Sequence, residues 1–256
     1  MDNRIIAFEG VRNFRDFGGY ASSHGGHVKT GLLYRSGHYA EASAADLSAL
    51  ADFNIALQAD LRRPDERERM AGKWSATELI THDGGRETEA PHQRFLQRVE
   101  ASAKKADNWM SEYYELAPFK PHHKAMFSEW FQKLANLDGP ALVNCAAGKD
   151  RTGILCALTH HVLGVSKTDI LADYELTNIA AKVDERLPEA TEYFNKLIGK
   201  NYEPDVYKPF LGVRGHYLET ALNVMRAEHG SVDTYLDEAL GLNQKTREKL
   251  ISRLVE

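Results

Sequence analysis

The sequence predicts one α/β domain, a central sheet flanked by helices. Three observations carry that prediction. Short apolar runs of strand type alternate with helix-like segments up to about residue 163. From 165 to 256 the pattern is helical throughout. Between these lies Pro140-Ala-Leu-Val-Asn144, a strand run joined by a short loop to the apolar helical run Ile154–Leu163, which Gly164 stops. No internal repeat or break in composition divides the chain, so residues 1–256 read as one domain.

In chain order, residues 8–37 are dense in turn formers: Phe17-Gly18-Gly19, Ser23-His24-Gly25-Gly26 and Thr30-Gly31. Short stretches such as His27-Val28-Lys29 and Leu32–Arg35 lie between them, which predicts short strands in a hairpin-like opening. Ser43 caps a helix to about Asp52, with Ala44, Leu47 and Leu50 on one face. Ile55–Asp60 is the next strand. It ends on Asp60-Leu61-Arg62-Arg63-Pro64, a charged cluster where an open α/β sheet places ligand chemistry. Asp65-Glu66-Arg67-Glu68-Arg69 reads as solvated surface charge, and Glu78–His82 as a further strand.

Residues 84–136 change character. Gly84-Gly85 and Pro91 break the chain, and a long polar helix is predicted over about Gln93–Asp107. Pro118 and Pro121 interrupt the next stretch, and a helix carrying Phe127, Trp130, Phe131 and Leu134 closes the region. The polar part does not suit a core, so 86–125 is read as a helical insertion, either a lid over the Cys145 loop or a remote decoration. Beyond Gly164, Ser166 starts a helix with Ile170, Leu171, Tyr174 and Leu176 on its apolar face, and Pro188 opens another. His216–Glu228 is helical, Ser231 caps Val232–Leu240, and Asn243 caps a last helix to Leu254.

Composition narrows the function classes. Hydrophobic residues make up 43% and charged residues 27%, as in ordinary globular chains. A net charge of -5 argues against a chain built to grip nucleic acid or anionic membrane. No run approaches the ~18 apolar residues of a spanning helix. The first ten residues hold no apolar run of signal-peptide length, so the expected location is cytoplasmic, with signal-less secretion left open. Oligomeric state is not set by these features. With two cysteines, Cys145 and Cys156, there is no disulfide framework. Cys156 falls about five residues along the helix, ~7.5 Å at ~1.5 Å per residue, a poor geometry for a bridge to Cys145. The histidines lack metal-ligand spacing and read as surface or packing residues.

The stretch Cys145-Ala146-Ala147-Gly148-Lys149-Asp150-Arg151-Thr152-Gly153 carries the chemistry. A thiol at a strand end, facing a helix N-terminus and a guanidinium, is favoured as thiolate, the nucleophilic form. Backbone N–H groups of Ala146, Ala147, Gly148, Lys149, Asp150 and Arg151 can cradle phosphoryl oxygens, and the small residues admit close approach. Arg151 adds a bidentate fork, and Thr152 a hydroxyl to steady the departing thiolate. Asp150 and Asp60 both stand as candidates for the general acid. Lys149, with Arg62, offers further positive charge to the substrate. The nucleotide P-loop pattern does not fit, because Asp150 comes after Lys149 and no earlier glycine is correctly placed.

With these residues the chain resembles the protein tyrosine phosphatase superfamily, whose signature is H-C-x5-R-[ST]. The Gly-Lys-Asp-Arg-Thr-Gly version is similar to an atypical bacterial branch acting on phosphotyrosine, at times phosphoserine or phosphothreonine, and phosphoinositides. Asn13–Gly19, Leu33–Gly37, Asp60-Leu61-Arg62 and the stretch from Tyr217 to Leu242 resemble further motifs of that branch. The resemblance implies a mostly parallel central sheet and a metal-independent, cofactor-free phosphatase forming a phosphocysteine at Cys145. It also implies phosphorylated protein or phosphoinositide as substrate, with Lys149 linked to multiply phosphorylated lipids. The branch lacks the mobile Trp-Pro-Asp acid loop of its relatives and often carries a helical lid, which favours the lid reading of 86–125. One departure is Asn144, where the signature has histidine. Asn144 brings no titratable positive charge, so weaker or alkaline-shifted activity is expected. There are two rival readings. One is an idle phospho-ligand binding module. The other is a sulfurtransferase, although sulfur-transfer loops are typically one residue shorter.

Overall fold

The computed structural model describes residues 4–98 and 100–256. Met1, Asp2 and Asn3 of the N-terminal stretch and Val99 of the expected insertion lie outside the described residues. Five strands form one sheet among them: β1 (Arg15–Asp16), β2 (Leu33–Ser36), β3 (Leu57–Asp60), β4 (Glu78–Ile80) and β5 (Ala141–Asn144), in the order β1-β2-β5-β3-β4. Only the β1–β2 pairing is antiparallel, and the other three are parallel. The strands predicted over Ile55–Asp60 and Glu78–His82 are both present and shorter.

Side-chain alternation along the strands splits the core in two. Leu33, Leu57, Ala59, Ala141 and Val143 join the larger cluster with Phe127, Trp130 and Phe131. Tyr34 and Leu142 face the other side, with Phe14, Tyr39 and Leu50. That second face is covered by helix α1 (Ala44–Asp52), which starts at a capping box on Ser43 and Asp46.

The remaining helices come in chain order. After β3 comes α2 (Pro64–Arg69), after β4 come α3 (Pro91–Arg98) and α4 (Ala103–Leu116), and a 3-10 turn at Ala117–Phe119 leads to α5 (Pro121–Leu134). After β5 come α6 (Asp150–Val162), α7 (Lys167–Glu175), α8 (Thr177–Ala180), α9 (Val183–Ile198), α10 (Pro204–Leu211), α11 (Gly215–His229), α12 (Val232–Glu238) and α13 (Gln244–Leu254). Helix α6 is buried at every residue from Arg151 to His160, as befits an element surrounded by others. No described helix is long and apolar enough to cross a membrane.

Two expectations about these helices need correction. The polar helix predicted over Gln93–Asp107 is two helices, because Ser102 accepts a hydrogen bond from the Lys105 N–H and caps a new start. Pro188 does not open a helix. α9 begins at Val183, after Lys182 in the left-handed region (φ 50°, ψ 50°), and Pro188 lies within it. Val206 and Tyr207 of α10 form a small separate core with Leu96 of α3 and Ala101, packed by Phe194 and Ile198 of α9.

Candidate active site

Three parallel strands end level with one another, since Asn144 is in register with both Ser36 and Asp60. Cys145 therefore leaves the sheet at the middle of its carboxyl edge, where open α/β sheets form their crevice. It is a free thiol, 2% exposed.

The loop from Cys145 to α6 is held from behind. Gly148 has φ +67°, and a Cβ there would lie 2.3 Å from the Ser36 carbonyl oxygen, so conformation and space both demand glycine. The Ala146 carbonyl accepts from the His38 N–H at 3.2 Å. The Ala147 and Gly148 carbonyls accept from Asn13 Nδ2 at 3.2 and 2.8 Å, and Gly148 also from Arg35 Nη2 at 3.1 Å. In a trans peptide the N–H points opposite its C=O, so the N–H groups of Ala147, Gly148 and Lys149 face the other way. None of them donates to a described residue. With the free first-turn amides of α6 they form a nest suited to an anion.

The props are themselves buried ions. Asp173 of α7 accepts from Arg35 Nη1 at 2.6 Å and from Arg15 Nε at 3.4 Å, and both arginine side chains are fully buried. Arg15 also donates to Asn13 Oδ1, to the Asp173 carbonyl and to Thr177 Oγ1. Burial pushes the Asp173 carboxyl up, but the Arg15 and Arg35 guanidiniums outweigh it and hold it at about 2. Two guanidiniums on one carboxylate leave a net positive charge behind the loop.

Arg151 opens α6 beside Cys145. Its Nη1 donates to Glu66 Oε2 at 2.6 Å and to the Leu61 carbonyl at 2.9 Å, and its Nη2 to Glu66 Oε1 at 2.9 Å. Nε–H and the second Nη2–H have no acceptor among the described residues, which leaves one edge of the guanidinium as a bidentate donor. Burial raises the Glu66 carboxyl, yet Arg151 and Arg63 bring it down to about 2. The solvated reading of Asp65–Arg69 is therefore overturned for its first two residues, which are both buried. Asp65 pairs with Arg63 at 2.9 Å and Arg69 at 2.8 Å. A cue existed in the sequence: Pro64 opens α2 and Glu66 is its third residue, placed to reach back to the Arg63 N–H at 2.8 Å.

Cys145, Ala146, Ala147, Lys149, Asp150 and Arg151 line one cavity of about 380 Å³. Its other walls come from α3 (Pro91, His92), α4 (Trp109, Met110, Tyr113), the Lys120–His123 stretch and Phe210 of α10. Residues between 86 and 125 thus line the same cavity as the loop, and so does Phe210 of α10, which the sequence did not single out. Burial lowers His92 and His122 to about 4, so both are neutral at pH 7. Four cationic side chains (Arg63, Lys120, Lys149, Arg151) face three carboxylates (Glu66, Glu87, Asp150) around the cavity. A larger surface depression of about 640 Å³ lies along α9 from Pro188 to Pro204 and contains none of the candidate residues.

The other candidates fall elsewhere. Asp60 ends β3 and is doubly paired with Arg62, at 2.9 and 3.1 Å to Nε and 2.6 Å to Nη2. Neither lines the cavity. Asn144 sits between Asp60 and Gln58, donating to Asp60 Oδ1 at 3.2 Å and accepting from Gln58 Nε2 at 2.8 Å. Thr152 is fully buried with its hydroxyl unpartnered among the described residues. Lys149 is spoken for: its ammonium donates to the Pro209 and Gly212 carbonyls at 3.1 and 3.0 Å, at the C-terminal end of α10. Asp150 accepts from the Tyr114 hydroxyl at 2.8 Å. Among the described residues no group of three or more His, Cys, Asp or Glu side chains is arranged to hold a metal ion.

The sequence is similar to a putative tyrosine-protein phosphatase of Cupriavidus necator, 33% identical over 246 residues that cover 92% of this chain and 84% of the relative. It is 25% identical to the triple specificity protein phosphatase PtpB of Mycobacterium tuberculosis, across 93% of this chain and 94% of that protein. A tyrosine-protein phosphatase of Nostoc commune is 26% identical across 82% and 69%. The model of a tyrosine phosphatase family matches residues 6–256. With that match covering nearly the whole chain, on an α/β fold with a parallel central sheet, the chain belongs to the tyrosine phosphatase family and is a phosphatase.

Proposed function

We propose that the chain hydrolyses phosphate monoesters through a phosphocysteine on Cys145. The observation that supports this reading is that Cys145, the loop after it and Arg151, one edge of whose guanidinium is not engaged by Glu66 or Leu61, line one cavity. The Cys145 thiolate attacks phosphorus while the P–O ester bond breaks, and the ester oxygen takes a proton from Asp150. Water then attacks phosphorus, the S–P bond breaks, and Asp150 takes the proton from water. Asp150 is preferred to Asp60 because it lines the cavity, whereas both Asp60 oxygens are engaged by Arg62.

Aryl phosphates, phosphotyrosine above all, are the substrates the walls support best. Trp109, Tyr113, His92 and Phe210 offer aromatic surface above the loop, suited to a phenyl ring. The mycobacterial relative is named for triple specificity, and phosphoserine, phosphothreonine or phosphoinositide turnover is carried over here as a secondary proposal. Lys149 lends the phosphoinositide reading little support while its ammonium is bound by α10 carbonyls. Residues 86–125 act, on this reading, as a lid. Cys145→Ser abolishes p-nitrophenyl phosphate hydrolysis while inorganic phosphate still binds. Turnover near wild type in that variant overturns the mechanism. Absence of turnover in the wild type, with phosphate binding retained, establishes the idle binding module instead.

A further inference from the structure

We propose that Tyr114, on helix α4 and outside the phosphate loop, is the residue that positions Asp150 for proton transfer; the inference rests on Asp150 being the acid. The Tyr114 hydroxyl lies 2.8 Å from Asp150 Oδ1 and 2.6 Å from the Tyr174 hydroxyl. A carboxylate only accepts, so Tyr114 donates to Asp150 and Tyr174 donates to Tyr114. Desolvation holds both phenols well above the ordinary phenol range, so each keeps its proton and remains a donor. The Tyr114 ring is fully buried and stacked on Tyr217, with centroids 5.7 Å apart, and Asp107 fixes the Tyr217 hydroxyl.

The consequence is a division of labour between the two carboxyl oxygens. Oδ1 receives the Tyr114 hydroxyl and has Lys149 Nζ at 3.6 Å. Oδ2 has no hydrogen-bond partner among the described residues and is the oxygen that carries the transferable proton. In the first step Oδ2–H passes to the ester oxygen as the P–O bond breaks, and the charge left on Asp150 is held at Oδ1 by Tyr114 and Lys149. In the second step Oδ2 takes a proton from the attacking water. Without the Tyr114 hydroxyl the carboxyl group turns about its Cβ–Cγ bond, and the proton is presented in the right place less often. Because Tyr114 belongs to α4, the acid is oriented only while that helix is seated over the loop.

The test is the leaving-group dependence of kcat/KM, from 2,4-dinitrophenyl phosphate, whose leaving group needs no acid, to phenyl phosphate, whose leaving group does. Asp150→Asn steepens the dependence, as loss of a general acid requires. Tyr114→Phe loses about tenfold on phenyl phosphate and less than about twofold on the dinitrophenyl ester, with KM unchanged. Tyr174→Phe, equally buried but leaving the Tyr114 donor in place, stays within about twofold on both. If Tyr114→Phe loses the same factor on both esters, or matches Tyr174→Phe, positioning by Tyr114 is wrong while Asp150 remains the acid. If Asp150→Asn keeps the wild-type dependence, Asp150 is not the acid and both readings fall.

Discussion

The loop from Cys145 to Arg151 and the helices beside it are built on opposite plans. Each carbonyl from Ala146 to Gly148 is held by a side chain or amide from far away in sequence, and the arginines behind the loop are fully buried on Asp173. The helices share a small core of their own. Leu96, Ala101, Val206 and Tyr207 are its buried centre, and tilted or edge-on aromatic contacts join Phe95, Trp109 and Phe210 at 5.6 to 5.9 Å. Among the described residues, Lys149 ties the loop to the end of α10. The loop is thus fixed by long-range ion pairs and hydrogen bonds, whereas α3, α9 and α10 rest on a smaller apolar core of their own.

The sharpest way to break this contrast is to remove the loop's anchor. Asp173→Asn leaves Arg15 and Arg35 buried without a counter-ion, a change that costs about 3–5 kcal/mol of folding stability. A urea or thermal titration reads it, and activity on p-nitrophenyl phosphate falls with it. Acid provides a second readout. Folding lowers the Asp173 carboxyl from 3.8 to about 2, so the unfolded chain binds that proton more tightly. Its contribution of ~2 kcal/mol is complete above about pH 4 and is lost as pH falls through about 2. Glu66, lowered from 4.5 to about 2, adds loss in the same window. The Asn variant should lose the Asp173 part of that slope and keep the Glu66 part. An unchanged slope contradicts the assignment.

A smaller effect is expected on the other side of the comparison. Phe210 touches His92, Phe95 and Trp109 and lines the cavity. Phe210→Ala should raise KM for aryl phosphates about fivefold, roughly 1 kcal/mol of lost contact, with kcat for the dinitrophenyl ester nearly unchanged. Amide exchange should quicken in α3, α9 and α10 and stay slow in β5 and α6. Equal loss of protection in both regions would mean that the loop and these helices form one cooperative unit.

Legibility in the sequence divides along the same line. The loop from Cys145 to Arg151 is contiguous, so its residue types and spacing carry the proposed chemistry on their own. Its supports are not contiguous. Asn13, Arg15 and Arg35 stand out only as motifs, and nothing in the chain links them to Asp173, 138 residues beyond Arg35. Glu66 hides in a run of charges whose ordinary meaning is solvation, and only its position in a short helix after a strand end hints otherwise. Asp60 and Asp150 are equivalent as sequence. Register separates them, because Asp60 ends a neighbouring strand while Asp150 comes after the thiol round the loop. The helices beside the loop are least legible: α9 and α10 are amphipathic, but amphipathicity does not say which surface a helix meets.

The phosphocysteine itself can be sought by rapid acid quench of the wild-type protein during turnover of an aryl phosphate, with mapping of the phosphorylated peptide. One phosphoryl group should appear on Cys145 within the first turnover and be absent in Cys145→Ser. Turnover with no phosphoryl group on Cys145, or with the group on another residue, would overturn the mechanism.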